Sequence, residues 1–469
     1  MDKINNSLKK NLFYNTFYQI LSLIVPLITA PYISRVLGTE GMGEYSYTYS
    51  IAHYFVLLMM LGVLNYGNRE IARVKDDHCK LKTTFWGIYS VQFVLGIIVS
   101  LLYIFFVLVL CNNYRVVAMT QMLYIISGII DISWFYFGIE KFKTTAGISS
   151  LNKIITTILI FVFVRSASDV YVYTIIIAGG VLLNNTIYWA LLKRYVEIGH
   201  VELHEIKKHI KPLLILFVPV IAVSIYKYMD KIMIGAMIDI AEVGIYEAAE
   251  KYINLPLSII TAVGTVMLPR ISNLKKNSDV NTVKRYNYCS MISIMCIGFG
   301  ITFGLAGISK CFIPWFYGKN FAKSAMVLLV LLPSVIFVSW ANVIRTQCLL
   351  PNKRDKEYCL SVMFGAIVNF AVNFVFIPRY GAIGAAIGTT IAELTVCLIQ
   401  TYETRTDMQF DRYFYNSIPF LINGLIMYFI ISHISFEKDI ITITIRILCG
   451  FIMYLLMSIF FIKRAIRAK

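Results

Sequence analysis

Charge is scarce in this chain. Asp, Glu, Lys and Arg make up 15% of its 469 residues, where a soluble domain carries about 25%. Acid is the scarcer sign: 26 Asp and Glu stand against 43 Lys and Arg, a formal net charge of +17. The nine cysteines show no metal-ligand spacing and no Cys-x-x-Cys, so neither a zinc site nor a redox pair is expected. A glycine-rich phosphate loop, a His-Glu-x-x-His helix and a Ser/His/Asp set on one face are all missing. No loop between apolar runs exceeds about 20 residues, which leaves no room for a soluble catalytic domain. These absences argue against an enzyme. What the chain has in quantity is apolar surface: 58% hydrophobic residues and a mean hydropathy of +0.71. The apolar runs are long and do not alternate, so the fold class is all-α, a polytopic membrane protein and not a barrel.

About fourteen crossings are predicted, at 12–37, 43–66, 84–111, 115–139, 145–165, 169–192, 213–239, 243–268, 285–309, 323–350, 357–378, 381–402, 413–434 and 440–462. Placing both termini on the cytoplasmic side puts about 29 Lys and Arg at inner ends and loops and about 9 at outer ones. The inner loops 69–82, 193–211, 270–285, 351–356 and 463–469 are visibly basic. The charge therefore reads as topology and contact with anionic lipid, not as a nucleic-acid surface. Segments 67–82 and 193–211 are expected as amphipathic helices on the inner surface. Lys3, Lys9 and Lys10 precede a segment too long for a signal peptide, and no cleavage site is evident. Cys111 and Cys311 fall near outer ends; a bridge between them and free thiols packed among helices are both open readings.

An internal repeat is visible. Leu37-Gly38 and Met42-Gly43-Glu44-Tyr45 are echoed by Ile234-Gly235 and Val243-Gly244-Ile245-Tyr246, and Arg69 and Arg270 each stand 26 residues past the matching glycine. Phe161-Val162-Phe163-Val164 is echoed by Phe374-Val375-Phe376-Ile377. This predicts two six-helix lobes, 1–200 and 205–403, related as parallel repeats, and a C-terminal helix pair, 404–469. Pro26 and Pro219, in the first crossing of each lobe, are expected to bend their helices, as a gate or as a fixed kink.

Charges set deep in apolar runs are the candidate site, because each costs on the order of 3 kcal/mol there. Lys227 and Lys231 are four apart and share a helix face, with Asp230 beside them. In the next crossing Glu247, Glu250, Lys251 and Asn254 form one stripe, and the repeat places Ser46, Tyr49, Ser50 and His53 at the same positions. One reading makes these stripes two facing walls of a central cavity. The other makes them a polar patch satisfied at a helix interface, with Lys251 paired to Glu247. Lys153, beside Asn152, is read as facing the bundle interior. Arg35 anchors the outer interface or contacts an anion at the cavity mouth. Arg345, near an inner end, contacts the cavity or only snorkels. Asp131 and Glu393 are protonatable coupling sites or partners of a neighbouring helix. His53 is a core histidine or a switch. Among the tyrosines, Tyr18, Tyr45, Tyr49, Tyr226, Tyr228 and Tyr246 are placed to stack on sugars, although most of the 31 read as interface and packing residues.

The N-terminal stretch adds a resemblance. Asn15, Pro26-Leu27-Ile28-Thr29, Pro31-Tyr32-Ile33-Ser34-Arg35-Val36-Leu37-Gly38 and Gly41-Met42-Gly43-Glu44-Tyr45 resemble the opening of the Wzx-type flippases, the polysaccharide-transporter branch of the MATE/flippase superfamily. The specific likeness covers about 1–75; beyond it helix count, repeat and loop lengths agree. The resemblance implies a MATE-like fold of the bacterial cytoplasmic membrane that moves undecaprenyl-diphosphate-linked oligosaccharide from the inner to the outer leaflet by alternating access, for capsule or O-antigen synthesis. It implies a side opening between crossings 1 and 8, a polysaccharide polymerase downstream, and no cofactor beyond a proton or sodium gradient. It also implies a cationic cavity, for which Lys227, Lys231, Lys251 and Lys153 are candidates. Asp230, Glu247 and Glu250 depart from that pattern, and whether they serve the sugar, a coupling cation or the lysines stays open. The rival readings are a cation-coupled multidrug exporter of the MATE type and a membrane polymerase or ligase; the latter usually carries a large outer loop.

Overall fold

The computed structural model describes the backbone except at residues 1, 110, 112, 198, 200, 277–279 and 468–469, and the side chains except there and at 2–16, 218, 219, 222, 226, 276, 280 and 464–467. Asn15, Pro219, Tyr226 and the lysines at 3, 9 and 10 thus lie outside the described side chains.

Apolar runs of this length leave the backbone one way to satisfy its N–H and C=O groups in lipid, within the segment itself. The main elements are accordingly α1 (Asp2–Met60), α2 (Val63–Val74), α3 (His78–Val109), α4 (Arg115–Thr120), α5 (Met122–Ile129), α6 (Ser133–Gly138), α7 (Phe142–Phe163), α8 (Val170–Leu192), α9 (Leu203–Met237), α10 (Ile240–Lys276), α11 (Val280–Tyr317), α12 (Ala322–Ile344), α13 (Asp355–Tyr380), α14 (Ala382–Glu403), α15 (Phe410–Ser432) and α16 (Asp439–Arg467). Among the described residues there is no strand. Twelve helical stretches are long and apolar enough to cross a bilayer. The first, Phe17–Val74, holds the first two predicted crossings. They part at Gly38, whose φ of 69° and ψ of −171° a side chain would resist. The helix α9 stands at the seventh. The chain is a multi-pass membrane protein.

Pro26 lies inside helical backbone, and α1 breaks at Gly38, between the first two predicted crossings. Two expectations change. Crossing four is not one helix but α4, α5 and α6 in series, since the chain turns at 130–132. Gln92 repairs that turn: its Nε2 donates to the carbonyls of Gly128 (2.9 Å) and Asp131 (2.9 Å). Of segment 67–82, the part to Val74 belongs to α2, an amphipathic helix set off at Gly62, and the rest is a turn and the start of α3. Segment 193–211 is not a separate surface helix: from Leu203 it is the start of α9. All nine cysteines are free, Cys111 and Cys311 included.

Contacts divide the chain into two compact units, Met1–Ser224 and Ile225–Lys469, with the seam inside α9. In the first, Phe85, Trp134, Phe135 and Tyr136 are fully buried, and the Phe85 ring lies 5.5 Å from Trp134 and 5.1 Å from Phe135. In the second, α11 packs on α12, α15 and α16. Arg446 ties this packing together by donating to the carbonyls of Gly307 (2.7 Å), Ile434 (2.8 Å) and Ser432 (3.0 Å).

Candidate functional site

Asp230 and Lys231 are consecutive on α9, so a helix turns them about 100° apart. They enter two different polar clusters of the second unit. Asp230 is 1% exposed. Its Oδ2 accepts from the Tyr246 hydroxyl of α10 (2.6 Å) and from Thr389 Oγ1 of α14 (2.5 Å); its Oδ1 accepts from Asn373 Nδ2 of α13 (2.6 Å). Asn369, one turn before Asn373, accepts from the same amide at 3.2 Å. No cation pairs with Asp230 among the described residues. The carbonyl oxygen of Asn373 is buried there with no hydrogen-bond partner. A carboxylate and two hydroxyls converge, a set that suits a proton or a small hard cation.

Lys231 goes the other way, between two acids of α10. Its Nζ lies 2.6 Å from Glu247 and 2.7 Å from Glu250, and Lys251 lies 2.9 Å from the second oxygen of Glu247. Two cations and two anions make a knot of zero net charge, buried at Lys231 and Glu247 (9% and 8% side-chain exposure). Holding Lys231 and the two acids away from water is tolerable only because each finds an opposite. Lys231 is therefore engaged by both acids, and Lys251 pairs with Glu247, one of the two readings open for the stripe. Lys227 differs: it is exposed, forms no ion pair among the described residues, and shares the ring of Tyr228 with Lys231, at 5.6 and 5.8 Å. Asn254 is exposed at the end of the stripe, and Glu393 is half-buried one turn past Thr389 on α14.

In the first unit the candidate residues stand apart from one another. Lys153 donates to Ser22 Oγ (2.8 Å) and lies 5.4 Å from the centre of the Tyr18 ring. Asp131 accepts the backbone N–H of Ser133 (2.9 Å), the local bond that starts α6. His53 Nδ1 is 3.0 Å from the Tyr124 hydroxyl. Arg35 is exposed and donates to the Pro31 carbonyl of its own helix (3.0 Å). Arg345 bonds Asn342 Oδ1 (2.7 Å) beneath the Tyr358 ring. The signal for Asn369, Asn373 and Thr389 was in the sequence but went unused: two asparagines four apart inside an apolar run are as costly as a charge without partners.

Comparison with known proteins follows the same lines. A family described as "Polysaccharide biosynthesis protein" matches residues 8–275. A protein of Escherichia coli K12 named "Putative O-antigen transporter" is 24% identical over 401 residues, 84% of this chain and 95% of that one. A solved structure of lipid II flippase MurJ in an inward closed conformation superposes with a TM-score of 0.81 at 18% identity, over 97% of this chain and 99% of that one. An inward-facing multidrug resistance MATE transporter superposes with a TM-score of 0.63 at 13% identity, over 82% and 94%. At these identities the two structures speak to the fold alone.

Proposed function

We propose a function from one premise: this chain belongs to the polysaccharide biosynthesis protein family, whose match spans residues 8–275. It is a flippase that carries a lipid-linked oligosaccharide across the bilayer. The observation that carries this reading is the family match, extended over most of the chain by a relative named as an O-antigen transporter and by a MurJ-like fold. The multidrug reading has only a weaker likeness of fold in its favour.

The passenger is an oligosaccharide on an undecaprenyl diphosphate, taken from the inner to the outer leaflet of a bacterial cytoplasmic membrane by alternating access, with both termini inside. A polymerase then joins the delivered units into capsule or O-antigen. A diphosphate cannot cross about 30 Å of hydrocarbon unaided, and a cation in a low-dielectric passage draws it more strongly than one in water. Lys227 is the candidate for that contact in the second unit and Lys153 in the first. Asp230 is the candidate coupling site, because a buried carboxylate held only by neutral donors is balanced by taking up a proton or sodium ion.

The test reconstitutes the purified protein in vesicles with undecaprenyl-diphosphate-linked trisaccharide and follows exposure of the sugar to an external glycosidase. Sugar exposure should need the protein and rise with an imposed proton or sodium gradient. Asp230→Asn should abolish the response to the gradient, and Lys227→Ala should slow transport about tenfold, the worth of one charge-assisted phosphate contact. Vesicles that move a cationic dye but no lipid-linked sugar would replace this reading with the exporter.

A further inference from the structure

We infer that the first unit carries a carbohydrate-reading surface, a column of rings made by Tyr45, Tyr49 and His53 of α1 and Tyr124 of α5, which takes the apolar face of a pyranose. The inference rests on the flippase reading for its place in transport, but its binding chemistry stands on the geometry below.

Tyr45, Tyr49 and His53 are four apart, one ring per turn on a single helix face. The Tyr45 and Tyr49 rings stack 5.8 Å apart at 15°. Tyr49 then meets His53 at 5.9 Å and Tyr124 at 5.1 Å. His53 and Tyr124 lie nearly parallel, at 14°, and their polar atoms meet at 3.0 Å. Tyr173, which is buried, supports Tyr45 edge-on at 4.7 Å. The four column residues are each half-buried, so part of each remains exposed.

The repeat offset sets this surface against a counterpart of different chemistry. The offset that matches Gly43 to Gly244 sets Ser46, Tyr49, Ser50 and His53 against Glu247, Glu250, Lys251 and Asn254. In the second unit that stripe is spent on the ion-pair knot with Lys231. In the first it holds no charge. Two copies of one helix have parted company: one handles ions, the other presents aromatic faces rimmed with hydroxyl and imidazole groups. A diphosphate finds donors but no fixed cation on the second kind of surface, and an isoprenoid tail has no use for its hydroxyls. A neutral polyol uses both features, setting its C–H face on a ring and exchanging hydrogen bonds at the rim.

The experiment has two readouts on the full-length protein. The first is transport, in the vesicle assay, of undecaprenyl diphosphate bearing a single N-acetylglucosamine against the same lipid bearing a trisaccharide. The second is saturation transfer from the detergent-solubilised protein to the free trisaccharide, which needs no transport. Tyr49→Leu and Tyr124→Leu keep apolar bulk in place, and Tyr49→Phe keeps the ring. Each leucine variant should lower the trisaccharide-to-monosaccharide transport ratio about tenfold, the scale of one stacked ring. It should also remove most of the saturation transfer, whereas Tyr49→Phe retains it. Leucine variants that slow both lipids by one factor and leave saturation transfer intact overturn the column. A wild-type protein that moves neither lipid yet loses saturation transfer in the leucine variants keeps the column and overturns the flippase.

Discussion

Replacing Lys231 with methionine removes the one cation that two buried acids share. Glu247 still has Lys251 at 2.9 Å, but Glu250, whose side chain is 16% exposed, is left with no cation among the described residues. Stripping one partner from a buried pair costs about 3–5 kcal/mol, because the remaining charge stays desolvated without compensation. At about 2–4 °C per kcal/mol for a unit of this size, the melting temperature should fall by on the order of 10 °C. Intrinsic tryptophan fluorescence of the detergent-solubilised protein on heating reads it. Adding Glu250→Gln to Lys231→Met returns the knot to one anion and one cation, and should recover most of the loss, a coupling of about 2 kcal/mol. Lys227→Met, at an exposed position, should stay within about 0.5 kcal/mol of wild type. A Lys231→Met protein that melts with the Lys227→Met control, or that Glu250→Gln does not rescue, would refute the claim that the knot is a balanced buried network.

Two further outcomes rest on other parts of the chain. His209 sits in the polar start of α9, ahead of the crossing, 3% exposed, with Nδ1 2.8 Å from the Tyr66 hydroxyl and Nε2 without a partner. Burial, with a smaller push from Lys208, lowers its pKa from 6.5 to about 4. The unfolded chain therefore binds the extra proton first, so the first unit should keep full stability above pH 6.5, lose on the order of 3 kcal/mol as pH falls toward 4, and lose no more from this group below that. His209→Gln should flatten that part of a melting-temperature profile against pH. Gly384 lets α14 cross the backbone of α13: a Cβ there would stand 2.4 Å from the carbonyl oxygen of Phe376, which cannot rotate away. Gly384→Ala should cost about 1–3 kcal/mol, read as a lower melting temperature and a smaller yield of folded protein.

Much of the fold was legible because it follows from local rules. A run of about 20 apolar residues must be a helix in lipid whatever surrounds it, and so the predicted crossings correspond to helices in the structure. The break at Gly38, where positive φ is cheap, falls between two predicted crossings as expected. The corrections fall where a local rule meets a neighbour. Asp131 looked like a lone charge in a continuous crossing. It lies at a turn that exists because Gln92, some forty residues earlier in sequence, satisfies the freed carbonyls.

The candidate site divides along the same line. Spacing placed Lys227 and Lys231 on one helix face, and burial cost marked them and Asp230 as residues that need a reason to be there. Spacing could not say that α10 supplies two acids to Lys231 and none to Lys227, nor that Asp230 would meet asparagines and a threonine from α13 and α14, about 140 to 160 residues further on. The sequence by itself determined a helical membrane protein and which side chains are too polar for their depth, because the free energy of moving a group into hydrocarbon depends on the group and its depth. Only the tertiary structure decided which of those side chains are neutralised, which stay open to a passenger, and which neutral partners they recruit, because pairing depends on distances of 3 Å between helices remote in sequence.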